Sequence, residues 1–169
     1  MAFLIKEALM GMPPIGSISA SAVVTPGTIV RADDPGYGSG EFIFLQGVAS
    51  TVLGSIVNWG GLSGSNLPTF QTALLPSTAN LACPVAFATA AILAGQYGWY
   101  QVSGVAVAAA TVMAGAGVVG IGLTAGIISS TLVAGKQILN AASLVAVGTP
   151  AAGQTLVQIN RPFAQGAIT

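Results

Sequence analysis

Apolar and polar positions along this chain alternate over short runs and do not hold a helical period for long. Glu41–Gln46, EFIFLQ, places Phe42 and Phe44 on one side of an extended backbone and Ile43 and Leu45 on the other, because successive strand residues point to opposite faces. Both faces of that strand are therefore expected to be covered. Ala22–Val30, AVVTPGTIV, contains a turn at Thr25-Pro26-Gly27, where Pro fixes one dihedral and Gly accepts a positive φ. β-Branched and aromatic runs predict further strands at Ser55–Trp59, Thr69–Leu74, Val85–Thr89, Gly98–Ser103, Val105–Ala110, Gly117–Gly122, Ser130–Ala134, Lys136–Leu139, Leu144–Val147 and Thr155–Asn160. Their spacing of about ten residues, with Gly, Pro, Ser or Asn in the gaps, predicts an all-β domain rather than βαβ units. The expected architecture is a compact sandwich or barrel of short antiparallel strands, and only Ala88–Gln96, ATAAILAGQ, is expected to form a short helix.

One window competes with this picture. Val105–Ile128 is long and apolar enough for a membrane-spanning helix. It contains Gly115, Gly117, Gly120, Gly122 and Gly126, each disfavouring helix by about 1 kcal/mol relative to Ala, and it has no flanking Lys or Arg to fix a topology. The amino terminus, MAFLIKEALMGMPP, interrupts its apolar residues with Lys6 and Glu7, unlike the uninterrupted core of a secretory signal. It reads as an arm, residues 1–21, that lies on a neighbour through Phe3, Leu4, Ile5, Leu9 and Met10, ahead of a single β-rich domain at 22–169.

Composition narrows the chemistry. The 169 residues include no His, one Cys and only eight charged side chains: Lys6, Glu7, Arg31, Asp33, Asp34, Glu41, Lys136 and Arg161. General acid–base catalysis needs a titratable group near its working pH within reach of a partner. Zinc-type sites need His and Cys. An enzyme, a cofactor and a metal site are accordingly not expected. The zero net charge argues against nucleic acid as a direct partner. Cys83, alone, cannot form an intramolecular disulfide and is expected to be a buried apolar thiol. An ordinary solvated surface carries charge at roughly 25–35% of its residues, far above the 5% found here. Much of this surface should be covered by copies of the chain and by a partner, since interface cores are depleted in charge.

Three clusters invite sharper readings. Arg31-Ala32-Asp33-Asp34-Pro35-Gly36-Tyr37-Gly38 fits a solvated turn in which Asp33 satisfies nearby backbone amides, with a cation site or an ion-pair loop at an interface as the sharper readings; one Asp pair falls short of the oxygen ligands Ca²⁺ takes. Gln96-Tyr97-Gly98-Trp99-Tyr100-Gln101 is either an aromatic interface anchor or core, with alternation separating Trp99 from Tyr100. Gly115-Ala116-Gly117-Val118-Val119-Gly120 has dinucleotide-site spacing but neither a strand–helix context nor an acidic residue about twenty positions on, so turns explain it better.

Gly27–Val57, Pro84–Gly104 and Gln154–Phe163 resemble a family of small head decoration, or cement, proteins of tailed bacteriophages. The most specific segments are Gly40-Glu41-Phe42-Ile43-Phe44-Leu45, Ala94–Gln101 and Ile159-Asn160-Arg161-Pro162-Phe163. The resemblance spans most of the chain and implies a virion location on the outer surface of the capsid, binding to the major capsid protein where its subunits meet, and no catalysis. Self-association, with a trimer favoured, is expected alongside, and no membrane partner. Candidate capsid or subunit contacts are Phe3, Leu4, Leu9, Arg31, Asp33, Asp34, Tyr97, Trp99, Tyr100, Arg161 and Phe163. The charge-poor second half departs from the family and points to apolar, shape-based seating. A holin-like membrane protein and a virion adhesin that holds glycans on Trp59, Tyr97, Trp99 or Tyr100 are the alternative expectations.

Overall fold

The computed structural model of the chain describes residues 11–60 and 70–167 together with the backbone of Leu4–Ile5. Every regular element among them is a strand: β1 (Leu4–Ile5), β2 (Ile18–Ser19), β3 (Ile29–Asp34), β4 (Gly38–Gln46), β5 (Ile56–Asn58), β6 (Ala73–Leu74), β7 (Cys83–Ala88), β8 (Tyr97–Val112), β9 (Gly117–Ile121), β10 (Ile128–Ser129), β11 (Gln137–Ser143) and β12 (Gln154–Ala164). Strands β8, β10, β9, β11, β12 and β7 close a six-stranded barrel, and the remaining strands extend outside the ring. The pairs are antiparallel except β8 with β10.

Strand β8 joins the two parts. Its first half pairs with β4, from Phe42↔Gln101 to Gln46↔Tyr97, and its second half pairs with β12, from Ser103↔Asn160 to Ala109↔Gln154. The change of partner falls at Gly104, whose φ is +98° and where a Cβ would lie 2.5 Å from the Ser39 carbonyl oxygen. Only Gly fits there, because the conformation is left-handed and the backbones approach too closely for a side chain. The Gln101 carboxamide donates to the carbonyls of Ser103 at 3.1 Å and Val105 at 3.0 Å, satisfying acceptors on both sides of the bend. The sequence splits this element into two strands at Gly104; the structure makes it one bent strand.

The barrel is filled. Ile56, Val85, Phe87, Val119, Ile121, Ile128, Ile138, Val157 and Ile159 form its core with Ala106, Ala108 and Ala110 of β8. An eight-stranded ring is just wide enough for its interior side chains. A six-stranded ring is narrower, which accounts for the alanines that β8 turns inward. Two further clusters lie on either side of β4. Ile43, Leu45, Tyr100 and Val102 pack towards β5 and β7, whereas Phe42, Phe44 and Trp99 pack under Ile15 and Val30. Both faces of Glu41–Gln46 are thus covered, as its alternation predicts.

Several expectations are corrected. Ala88–Gln96 is not a helix: Ile92, fully buried, is drawn into the cluster beside Tyr100, and the chain turns at Gly95, φ +78°. The Gln96 side chain accepts a hydrogen bond from the Leu93 amide at 2.9 Å, fixing that turn. Ser130–Ala134 and Leu144–Val147 are not strands; beyond Leu144 the ladder reduces to an isolated bridge, Ala114↔Ala146. Only Ile29 and Val30 of Ala22–Val30 are in a strand. The window Val105–Ile128 is the second half of β8, then β9 and the start of β10, and no described helix is long and apolar enough to cross a membrane.

The stretch read as an arm is partly integral. Ile15 is 3% exposed, the Trp99 indole donates to the Pro13 carbonyl at 3.0 Å, and β2 pairs with β8. Leu4–Ile5 add to the edge of β3 at Asp33 and Ala32. Phe3, Leu9 and Met10 lie outside the described residues.

Candidate docking surface

The residues expected to make contacts separate into core and surface. Trp99 and Tyr100 are fully buried on opposite faces of β8, so neither is an exposed anchor nor a glycan platform. Trp99 meets Phe44 edge-on at 5.1 Å, and Tyr97 stacks against Phe44 at 6.1 Å. Tyr97 itself is half-buried and lines a shallow groove with Pro26, Gln46 and Phe70. Burial pushes the Tyr100 phenol up to about 12, against the lesser opposing effect of hydrogen bonds to Thr72 and Thr51.

The Arg31–Asp34 cluster is the end of strand β3 and not a loop. Asp34, buried, takes the amide-capping role expected of Asp33, accepting from the Gly36 and Tyr37 amides at 2.7 and 3.3 Å. Asp33 faces the other way and accepts from the Ser39 hydroxyl at 2.5 Å. Opposite orientation along the strand keeps the two carboxylates from sharing a ligand, and among the described residues no group of three potential metal ligands occurs.

Arg31 and Arg161 converge on Glu41, at 3.4 and 3.1 Å. The first contact follows from the hairpin register Arg31↔Glu41. The second joins strands 120 positions apart. It depends on a bulge in β12: pairing with β8 ends at Asn160, pairing with β7 starts at Phe163, and between them Arg161 adopts φ +48°. Where β7 and β8 part from β12, an apolar groove of about 240 Å³ opens between Ile29, Trp59, Pro84, Val85, Val102 and Phe163, with Arg161 at its rim. A second, polar trough of about 330 Å³ follows along Arg31, Ala32, Ser39, Gly40, Glu41 and Ser103.

Elsewhere among the described residues the exterior carries large apolar side chains and little charge, with Lys136 beside Leu123 and Val133. Leu139 and Phe163 face outward as a cross-strand pair, Val118 lies beside Ala142 on the same face, and Leu144 continues it. Leu123, on the turn after β9, is 89% exposed, with Leu132 and Val133 nearby in sequence and also exposed. Sequence reasoning named Arg31, Arg161 and Phe163 but missed Glu41, Ile29, Val118, Leu139 and Leu123. Counting outward from Pro35-Gly36-Tyr37 places Glu41 opposite Arg31 and would have found the first ion pair. Cys83 is half-buried against the barrel core, and desolvation raises its thiol pKa. Comparison of the chain with protein-family models, curated proteins and solved structures finds no match in any of the three.

Proposed function

We propose that the protein is a structural decoration protein that seats on the outer surface of an expanded phage head, where major capsid subunits meet, and stabilises the DNA-filled shell. The observation that carries this reading is the exterior. Among the described residues, thirteen large apolar side chains are exposed, including Val118, Leu139, Leu144 and Phe163 on one sheet face, against eight charges in the whole chain. A filled barrel offers no lumen for a substrate or a pore, so what it presents to other molecules is its outside. Surface of this kind suits permanent contacts, whose cores are apolar and poor in charge. The resemblance of Gly40–Leu45, Ala94–Gln101 and Ile159–Phe163 to head decoration proteins supplies the kind of partner.

Mechanically, many copies, self-associated as trimers, add their binding free energy to the expanded shell, and linkage requires that they prefer that form to the immature one. Reconstruction of the intact particle by electron cryomicroscopy tests this. Ordered copies at subunit junctions on the outer shell are expected. A shell without them, with the protein in host membrane fractions, would overturn the reading, as would equal binding to immature and expanded shells.

A further inference from the structure

We propose that the groove between β3, β7 and β12, with Arg161 at its rim and Arg31 beyond it across Glu41, docks an extended segment of the shell subunit that carries an acidic side chain flanked by apolar ones. This rests on the decoration reading and names the chemistry of the contact.

Charge points first to the occupant. Two of the chain's four cationic side chains meet here on one carboxylate, Glu41. Glu41 is largely covered, at 18% exposure, whereas the arginines are 69% and 65% exposed. A guanidinium has five N–H donors, and only Nη2 of each reaches Glu41. Asp33, on the same face of β3, is engaged by the Ser39 hydroxyl, and the guanidinium donors that Glu41 does not use suit an incoming carboxylate in the bidentate manner typical of arginine.

Shape points to an extended chain. The apolar groove beside Ile29, Val102 and Phe163 and the polar trough beside Gly40 and Ser103 lie on either side of the ion-pair cluster, since Arg161 borders one and Arg31 with Glu41 the other. An apolar side chain fits the first, an acidic one meets the arginines, and the peptide continues along the second. Backbone geometry agrees. Arg161 is a non-Gly residue at φ +48° immediately before Pro162, where the following proline favours extended conformations. Such outliers persist where the surroundings hold them and gather at binding sites.

Binding of purified protein to expanded heads that lack it, titrated at several NaCl concentrations, tests the assignment. The R31Q/R161Q double variant is expected to bind at least tenfold more weakly at low salt and to lose most of the salt dependence. Phe163→Ser should weaken binding comparably, and Ala151→Ser, exposed on the turn before β12 and at the opposite end of that strand from Phe163, should leave it unchanged. Glu41→Gln, which frees both guanidiniums, should strengthen binding severalfold, an effect that misfolding cannot imitate. Wild-type binding with unaffected R31Q/R161Q and Phe163→Ser variants would overturn the groove while leaving the decoration role standing. Variants that bind heads normally but sediment as smaller oligomers would assign the groove to a second copy instead and overturn it equally. Failure of the wild-type protein to bind any head removes the decoration role itself.

Discussion

Arg161 holds Glu41 at 3.1 Å from a left-handed backbone position, φ +48°, on a strand far removed in sequence. The conformation costs an L-residue roughly 1–2 kcal/mol, and an exposed ion pair returns only about 0–1 kcal/mol. Arg161→Gly is therefore expected to leave folding stability within about 1 kcal/mol of wild type, whereas Arg161→Val, β-branched, should lose more than that. Urea denaturation of the three proteins checks the order; a Gly variant far less stable than wild type would show that the ion pair outweighs the backbone.

The bend in β8 should be far less tolerant. Gly104→Ala adds a methyl 2.5 Å from the Ser39 carbonyl oxygen in a positive-φ conformation. A loss of about 3 kcal/mol or more is expected from combined strain and overpacking. Gly117→Ala, whose added Cβ meets nothing within 4 Å, is the control, and thermal melts of the pair should differ by many degrees.

Phe44 is 1% exposed and packs against both Trp99 and Tyr97. Phe44→Ala should cost about 3–5 kcal/mol through lost burial and the cavity left behind, and should change the near-ultraviolet dichroism of Trp99. A cost under 1 kcal/mol would mean that the Ile15 segment collapses onto the hole.

High pH should act through Tyr100. Its phenol is raised to about 12 when folded, against about 10 in an unfolded chain. Between those values the unfolded state has released a proton that the native state keeps, so stability falls as pH rises, by about 2–3 kcal/mol at pH 12. Below pH 10 this contribution is flat. Tyr100→Phe should remove most of the decline, measured by denaturation between pH 9 and 11.5, and an unchanged slope would assign the decline to other groups.

Cys83 should react slowly. Its thiol pKa lies above the ordinary value because of desolvation, and the thiolate is the nucleophile. Alkylation at pH 8 should run well below the rate for the denatured chain and should accelerate on denaturation; equal rates would place the thiol in solvent.

Much of the barrel was legible because strands leave a period of two and a punctuation of turn residues. The all-β class follows from those signals, as does the two-sided burial of Phe42–Leu45 and the opposite facing of Trp99 and Tyr100. Ala88–Gln96 misled because its composition favours helix, while Ile92 gains more by burial beside Tyr100. The sequence left sandwich and barrel open and placed Ala106, Ala108 and Ala110 in a strand; what selects the ring is closure at six strands, which requires small residues inside. The docking surface was half visible. A hairpin register encodes Arg31 opposite Glu41, but nothing local encodes the meeting of Glu41 with Arg161, which follows from where β12 changes partners.

That β8 pairs with β4 on one half and with β12, the last described strand, on the other also imposes an order on synthesis. The β3–β4–β8 sheet can assemble as soon as its own residues have left the ribosome. The ring stays open until the final strand emerges, leaving the second half of β8 without its partner during translation of the residues between. A nascent chain so short of charge is most exposed to its neighbours on the same polysome in that interval, and a ribosome stalled before Gln154 would release a product with an unpaired, alanine-rich edge ready to template aggregation.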